Sequence, residues 1–320
     1  MHPLPDLGND ARIVVSGLTK TFGRKAAVDD LSFTVDPGQV TGFLGPNGAG
    51  KTTTLRMLLG LITPSHGTAT IAGRRYAELA TPSRAVGAML EATGFHPGRT
   101  GRDHLRTYAP AAGVDDHRVD EVLDLVELTD ASRQKVRGYS LGMRQRLGLA
   151  GALLADPAVL ICDEPANGLD PDGIRWLRDV LRTYADRGRA VLVSSHLLAE
   201  MQNIADAVVI LNRGRLVESG LVSDLAHAAG ESVHARCADP DALIATLPAT
   251  ANTQLRPPDR VEIRGVPADV VANRAATAGL TLTELRTERF DLERLYFSLT
   301  APGRKPDSPL PDAESSGVSQ

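Results

Sequence analysis

Short apolar runs separated by turn residues open the chain. Between Ile13 and Val40 the runs IVV and LSFTV alternate with polar positions and with a turn at 36–38, which predicts a small antiparallel sheet. Residues 40–44 are typical of a strand that leads into a glycine-rich loop, and 52–61 carry leucines at helical spacing. The pattern therefore predicts antiparallel strands followed by a strand, a loop and a helix.

Helical patterns and unbroken apolar runs alternate in the middle of the chain. Residues 102–128 place valines and a leucine on one helical face and predict a helical subdomain. The runs 159–162 and 190–193 are almost wholly apolar without alternation, as in parallel strands that helices cover on both faces. The segment 212–214, Asn-Arg-Gly, lies between two β-prone runs and predicts a hairpin at the end of this domain.

The pattern changes after about Leu225. Strand-like and helix-like segments without recognisable active-site chemistry then alternate, which predicts a small α+β module of split βαβ type. The final segment is rich in proline, serine and aspartate and poor in apolar residues, so we expect it to be disordered. The predicted organisation is a flexible N-terminus at 1–11, a first domain at 12–224, an accessory module at 225–300 and a disordered tail at 301–320.

Composition limits the classes of partner. A chain of 320 residues, 42% hydrophobic, can bury one large core and a smaller second one. Its net charge is −4 and both signs are spread along it, so it lacks the basic field that binding to nucleic acid or anionic lipid requires. We interpret the local cluster Arg133, Lys135 and Arg137 as a solvated face and expect no nucleic-acid partner.

Neither cysteine pairing nor a membrane span is indicated. Cys162 and Cys237 lie far apart, and Cys162 sits in an apolar run, so we expect a small core side chain and a reducing compartment. Residues 1–12 lack the apolar stretch of an export signal. No segment reaches the roughly 20 apolar residues of a span, because Asp156 and Pro157 interrupt the best candidate. We expect a chain that does not cross a bilayer by itself.

The segment GPNGAGKTT matches the phosphate-loop pattern. Its residues are Gly45, Pro46, Asn47, Gly48, Ala49, Gly50, Lys51, Thr52 and Thr53. Glycines let backbone amides turn towards phosphates, and the start of the following helix adds partial positive charge. We expect Lys51 to reach the β and γ phosphates of ATP and the Thr52 hydroxyl to bind Mg²⁺. The alternative is a glycine-rich turn that matches by chance, and the flanking strand and helix argue against it.

A second motif, VLICDEP, delivers two carboxylates at the end of an apolar strand. Asp163 is placed to hold Mg²⁺, and Glu164 to polarise a water that attacks the γ phosphate. Neighbouring residues of a strand point to opposite faces, so the two acids can do different work. The alternative is an acidic pair that ends the strand and solvates a turn.

A third motif, YSLGMRQR, lies at 139–146, just before the second. Taken alone, Ser140 reads as the N-cap of a helix. The three motifs in this order resemble one family, the ATP-binding cassette (ABC) ATPases, in which this helix start faces the γ phosphate held by another subunit. The third and fifth positions, Leu141 and Met143, depart from the family's usual Leu-Ser-Gly-Gly-Gln. Ser140 and Gly142, which carry the hydroxyl contact and the close backbone approach, are kept.

The resemblance covers about 13–220 and implies roles for four further residues. Asp170 resembles part of the dimer-contact segment called the D-loop, although it would also suit an ordinary turn. His196 resembles the switch histidine that senses the γ phosphate and helps position the water, against the alternative of a capping residue. Phe22 resembles the aromatic that stacks on adenine, against the alternative of a core residue. Glu91 stands where most members have a glutamine that touches Mg²⁺, so the resemblance implies that Glu91 is a further Mg²⁺ ligand.

The resemblance also implies a fold and an activity. The fold is α/β, a P-loop NTPase core of mainly parallel sheet with an N-terminal antiparallel β subdomain, a helical signature subdomain and a small C-terminal α+β module. The activity is hydrolysis of ATP, with Mg²⁺, between two cassettes of a homodimer or another cassette–cassette dimer. Glu164 and His196 are the expected catalytic residues.

The physiological role implied is that of the ATP-hydrolysing subunit of an ABC transporter, cytoplasmic and held on the inner face of the cell membrane by a separate permease. Glu91, the YSLGM form of the signature and the ending LERLYFSLT favour export of drug-like or antibiotic compounds. One alternative is a soluble ABC ATPase that acts on nucleic acid or ribosomes. Another is an ATP-dependent assembly module without transport.

Overall fold

The computed structural model of the chain describes residues 11–90, 94–229, 232–288 and 291–300. These residues form two compact units, and the division falls between Val222 and Ser223. Residues 1–10 of the predicted N-terminus and the whole predicted tail lie outside the described residues. The domain ranges given above therefore stay predictions.

The first unit alternates strands and helices. Its strands are β1 (Ile13–Phe22), β2 (Lys25–Val35), β3 (Val40–Leu44), β4 (His66–Ile71), β5 (Val86–Met89), β6 (Val159–Asp163), β7 (Ala190–Ser195), β8 (Ala207–Asn212) and β9 (Arg215–Leu221). Its helices are α1 (Lys51–Leu58), α2 (Pro82–Ala85), α3 (Gly101–Arg106), α4 (Ala109–Ala112), α5 (Asp116–Leu125), α6 (Leu141–Leu153), α7 (Pro171–Ala185) and α8 (Leu198–Met201). Short 3₁₀ turns occupy 76–78 and 136–138.

Two sheets organise these elements. The strands β2, β1 and β4 form an antiparallel sheet in that order. The larger sheet has the order β5-β6-β7-β3-β8-β9, in which the neighbours from β5 to β8 are parallel and β9 is antiparallel to β8. Arg213 and Gly214 between β8 and β9 have φ of 49° and 83°, the left-handed geometry of a tight hairpin turn. The predicted α/β core and antiparallel subdomain are confirmed.

The central parallel strands of the larger sheet are fully buried. Every residue of β3, β6 and β7 is buried, because apolar side chains on both faces require cover on both sides. On one side the antiparallel sheet supplies that cover. Phe33 of β2 packs on Phe43 of β3 with 5.2 Å between ring centroids. The carboxyl end of β3 is therefore held by a dense core.

The predicted helical stretch 102–128 consists of three helices, α3, α4 and α5. Gly113 ends α4 in the left-handed conformation, with φ of 66°, which glycine adopts without a steric penalty. Asp115 then caps α5 by accepting a hydrogen bond from the Arg118 N–H at 3.1 Å. These helices share an apolar core with α6, so the segment is the helical subdomain that the sequence predicts.

The second unit has its own core. Its elements are α9 (Val222–Ala229, which begins at the division), β10 (Ser232–Cys237), α10 (Pro240–Thr246), β11 (Asn252–Arg256), β12 (Arg260–Arg264), α11 (Ala268–Thr277), β13 (Leu282–Glu288) and α12 (Leu292–Thr300). The sheet order is β11-β12-β10-β13 with antiparallel neighbours. Val233, Leu243, Ile263 and Val271 lie in its apolar core. This β-α-β-β-α-β succession is the split βαβ arrangement that the sequence predicts.

Candidate active site

The glycine-rich loop begins where β3 ends, at the carboxyl edge of the parallel strands. Ligands of open α/β sheets bind at this edge. Gly50 has φ of 104°, and a Cβ there would lie 2.5 Å from the carbonyl oxygen of Ala27, so a side chain is excluded by both conformation and space. The helix α1 begins at the next residue, Lys51. The fold thus presents loop amides and a helix N-terminus together.

Lys51 folds back over the loop that precedes it. Its Nζ donates to the carbonyl oxygen of Gly45 at 2.7 Å and lies 3.1 Å from Oε1 of Glu164. The Lys51 side chain is 6% exposed and that of Glu164 is 20% exposed. In this partly desolvated setting the attraction between unit charges is several-fold stronger than in water. The first and second motifs are therefore joined by an ion pair.

Thr52 and Asp163 also meet in the structure. The Thr52 hydroxyl donates to Oδ2 of Asp163 at 2.7 Å, and the Ser194 hydroxyl donates to the other carboxylate oxygen. Asp163 is the last residue of β6 and is buried. Oxygen atoms of hydroxyl and carboxylate groups are the ligands that Mg²⁺ prefers. The chemistry of Thr52 and Asp163 therefore suits the Mg²⁺ site predicted for them.

Glu164 has an uncommon backbone conformation, with φ of 52°. A non-glycine residue in the left-handed region costs of order 1 kcal/mol and is frequent at functional sites. Its N–H donates to the Ser194 hydroxyl at 3.0 Å, which helps to hold that conformation. Its Oε2 lies 2.7 Å from Nδ1 of His196. The carboxylate therefore stands between an ammonium group and an imidazole.

Several of these groups line a cleft of about 500 Å³. Residues 46–53 of the loop form one wall, and Phe22, Glu164 and His196 also line it. Phe22 is 53% exposed, so it is not the core residue that the alternative interpretation required. Lys20 lies over the ring, with Nζ 5.2 Å from the centroid. An exposed aromatic ring thus stands at a cleft large enough for a nucleotide.

A larger groove lies elsewhere on this unit. It measures about 780 Å³ and is lined mainly by residues of α5 and α7. Among its described lining residues there is none from the three motifs, and its carboxylates have partners, such as Glu121 with Arg118 at 3.0 Å. The smaller cleft is therefore the candidate active site, because the perturbed backbone and the convergent charges lie there.

Comparison with known proteins identifies the family. A family model described as ABC transporter matches residues 28–167. An uncharacterized ABC transporter ATP-binding protein of Bacillus subtilis strain 168 is 48% identical over 213 residues, which cover 66% of this chain and 70% of the relative. The chain belongs to the family of ABC transporter ATP-binding proteins.

Two further comparisons agree with that assignment. The bacitracin transport ATP-binding protein of Bacillus licheniformis is 43% identical over 209 residues, which cover 64% of this chain and 68% of the relative. A solved structure of the ATP-binding subunit of an ABC transporter superposes with a TM-score of 0.61 at 30% identity, covering 67% of this chain and 92% of that chain. The ABC cassette fold predicted from the sequence is confirmed.

The signature segment of this ABC cassette begins at the N-terminus of α6. Ser140 is the N-cap of α6, and its hydroxyl accepts a hydrogen bond from the Met143 N–H at 3.2 Å. A Cβ on Gly142 would lie 3.4 Å from the carbonyl oxygen of Gly168, so this helix start packs on the segment after the second motif. No residue of 139–146 is among the described residues that line the cleft. Within one chain, therefore, the described lining of the cleft does not include the signature.

The structure describes the predicted site residue Asp170 but not the predicted site residue Glu91. Asp170 caps α7, with Oδ1 accepting the N–H of Gly173 at 2.8 Å, so its local role in the fold is clear and its dimer contact stays a prediction. Glu91 lies outside the described residues. Its assignment as a metal ligand therefore stays a prediction.

Some residues of the cassette site, among them Ser194, Lys25 and Asn167, were not predicted as site residues. Ser194 binds both Asp163 and the backbone of Glu164, and its signal was a hydroxyl at the end of an apolar strand, two residues before His196. Lys25 and Asn167 line the cleft. Lys25 lies just across the β1–β2 turn from Phe22, which was its only signal.

None of the described helices is both long enough and apolar enough to span a bilayer.

Proposed function

We propose that this ABC transporter ATP-binding protein hydrolyses ATP and thereby energises a separate membrane permease. The observation that carries the proposal is the meeting of Lys51, Glu164 and His196 at one cleft. An ammonium for phosphates, a carboxylate for water and an imidazole beside it are the groups that phosphoryl transfer to water needs. Binding of nucleotide alone would not require the carboxylate and the imidazole.

Nucleotide binding uses the whole length of the cleft. The exposed ring of Phe22 offers a stacking surface for adenine, and base stacking on an aromatic contributes about 1–3 kcal/mol. The loop amides and the N-terminus of α1 supply donors and partial positive charge for the phosphates. Lys51 supplies the full positive charge at the β and γ phosphates.

Mg²⁺ is the expected metal. Thr52 and Asp163 would hold it, since their oxygens already lie 2.7 Å apart; Glu91 is a further candidate ligand. When bound, the ion supplies positive charge that offsets the charge of the phosphates. Mg²⁺ is commonly bound by only one or two protein oxygens together with phosphates and water, so this small donor set fits.

Hydrolysis depends on Glu164 becoming free to orient water. One of its carboxylate oxygens is paired with Lys51 and the other with His196. Arriving phosphates compete for the Lys51 ammonium, which frees Oε1 to accept a hydrogen bond from the attacking water. His196 holds the other oxygen, so the carboxylate keeps its orientation while Lys51 changes partner.

The second half of the site comes from another cassette. Ser140 is exposed at the start of α6 and is not among the described residues that line its own cleft. Across a dimer, Ser140 and Gly142 of one cassette would cover the phosphates held by the other, with Asp170 at the contact. Two unit charges 4 Å apart interact by about 1 kcal/mol in water and about 4 kcal/mol at an effective dielectric of 20, so such cover strengthens each phosphate contact.

The transported compound is proposed to be an antibiotic or drug-like molecule, moved outwards. The support is the 43% identity with a bacitracin transport ATP-binding protein, together with the signature and C-terminal features of the sequence. The cassette would then work on the inner face of the cell membrane, attached to its permease. Co-purification with a membrane protein encoded next to it tests this attachment.

Phosphate release by the purified chain tests the enzymatic part. Glu164→Gln should bind ATP with a Kd within about threefold of wild type and release phosphate at least about 100-fold more slowly. The matched control is Glu218→Gln, which removes the same charge from a half-buried position of β9 outside the cleft. Full turnover in Glu164→Gln would contradict the proposal. Tight ATP binding without any turnover in wild type would favour the assembly-module alternative.

A further inference from the structure

Lys25 lies beside the aromatic ring at which the proposed function places adenine. It is the first residue of β2 and pairs with Phe22, the last residue of β1, across the turn formed by Gly23 and Arg24. Directly opposed residues of antiparallel strands have their side chains on one face of the sheet, with Cβ atoms about 5 Å apart. The side chains of Phe22 and Lys25 are therefore neighbours, and both line the cleft.

The strand β2 leads from Lys25 to the phosphate loop. Residues two apart on a strand have side chains on one face and are separated by about 7 Å, which places Ala27 on the same face as Lys25. Ala27 also lines the cleft, and its carbonyl oxygen would lie 2.5 Å from a Cβ on Gly50. Lys25 is thus flanked by the aromatic ring on one side and by the phosphate loop on the other.

The charge of Lys25 has no partner among the described residues of the cleft. Lys51, which also lines the cleft, forms an ion pair with Glu164. Lys20, near the end of β1, donates to the carbonyl oxygen of Thr63 at 2.7 Å. Within the described ranges, no ion pair or side-chain hydrogen bond joins Lys25 to another residue, and Lys25 is exposed. A negatively charged group of the ligand would supply the partner that the cleft lacks.

The order of the groups along ATP selects that partner. The α phosphate is bonded to the ribose and therefore lies between the base and the β and γ phosphates. The proposed site places the base at Phe22 and the outer phosphates at Lys51. From the position of Lys25 between the ring and the loop, we infer that Lys25 binds the α phosphate of the nucleotide. The inference rests on the proposed function, which sets the direction of ATP in the cleft.

The inference divides phosphate recognition between two lysines. Lys51 is expected to distinguish nucleotides by their outer phosphates. Lys25 contributes to every adenine nucleotide, because each of them carries the α phosphate. Replacing Lys25 should therefore weaken ATP and ADP by the same factor, whereas a residue at the γ phosphate would affect ATP alone.

Calorimetric titration of Lys25→Ala with ATP and with ADP tests this role. The Kd for each nucleotide should rise roughly fivefold, a modest factor because an exposed ammonium keeps much of its hydration. Lys25→Arg keeps the charge and should recover most of the affinity. An unchanged Kd in Lys25→Ala, or a loss confined to ATP, overturns the inference.

The matched control is Arg24→Ala. It removes the same charge from the neighbouring residue of the turn, which is exposed and is not among the described residues that line the cleft. Its Kd values should stay within about 1.5-fold of wild type. A loss as large as that of Lys25→Ala would show that the general charge of the turn acts on the nucleotide, and it would overturn a specific contact.

A second measurement separates contact with phosphate from support of the Phe22 ring. If Lys25 acted only by holding the ring, Lys25→Ala would have no effect in a Phe22→Ala background. A direct contact predicts the same roughly fivefold change in Kd with and without the ring, and loss of the effect in the double variant overturns the inference.

These titrations need nucleotide binding but no turnover, so the two proposals fail separately. Wild type that binds ATP without releasing phosphate would contradict the proposed hydrolysis and leave the role of Lys25 standing. Normal phosphate release together with an unchanged Kd in Lys25→Ala would do the reverse. A chain that binds neither nucleotide would overturn both.

Discussion

Replacing Lys51 by alanine tests how the cleft recognises phosphate. In the structure the Lys51 ammonium contacts the Gly45 carbonyl at 2.7 Å and Glu164 at 3.1 Å. Binding of ATP therefore exchanges these contacts for phosphate contacts, and the net gain is smaller than the full attraction. A hydrogen bond to a charged group contributes about 1.5–3 kcal/mol net. Because the Lys51 side chain is only 6% exposed, we expect Lys51→Ala to lose about 2–3 kcal/mol of binding free energy for ATP. This loss corresponds to a roughly 30- to 150-fold weaker Kd.

Calorimetric titration with ATP and with AMP measures this effect. AMP lacks the β and γ phosphates that Lys51 is expected to reach, so Lys51→Ala should weaken ATP binding by that factor and change AMP binding by less than about twofold. The matched control is Lys135→Ala, which removes the same charge from an exposed position outside the cleft. A melting curve checks that each variant is folded.

Two results would refute this reasoning. Equal losses for ATP and AMP would mean that Lys51 supports the loop and does not contact the outer phosphates. An unchanged Kd for ATP would mean that the cleft beside Lys51 is not where the phosphates bind. In the second case the proposed roles of Glu164 and His196 would fail as well, because Glu164 is placed by its contact with Lys51 and His196 by its contact with Glu164.

Three further outcomes are expected. Phe22→Ala should weaken ATP binding by about 1–3 kcal/mol in the same titration while Phe22→Tyr stays near wild type, because stacking needs only an aromatic face; equal losses would exclude stacking. Ser140→Ala should lower the free energy of urea unfolding by about 1 kcal/mol, since it removes the cap on the Met143 N–H; no loss would contradict the capping geometry. Burial, and to a smaller extent the charge of Arg99, lowers the pKa of His104 below its ordinary 6.5. The unfolded chain therefore binds this proton more readily than the folded chain, and the free energy of unfolding falls as the pH drops below about 6.5. Unfolding free energies at pH about 7.5 and about 5.5 should therefore differ less in His104→Gln than in wild type, and an equal difference would assign the pH dependence to other groups.

Much of the fold could be read along the chain. The unbroken apolar runs at β6 and β7 predicted buried parallel strands, and short β-prone runs separated by turn residues before residue 40 predicted the antiparallel sheet. Both are local signals, because side chains alternate or repeat within a single element. The helical stretch 102–128 was predicted as a region but not as three helices. Its breaks depend on one left-handed glycine and one capping aspartate, which mark boundaries only weakly.

The phosphate loop, the acidic pair and the signature were fixed by the sequence alone, because each motif is a contiguous segment whose residue types and order carry its chemistry. Tertiary structure decided which groups touch. Thr52 meets Asp163 across 111 positions of chain, and Glu164 meets His196 across 32. It also decided that Ser194 holds the acidic pair. Such contacts arise because parallel strands distant in sequence end at the same edge of one sheet, and no local pattern encodes which strands become neighbours.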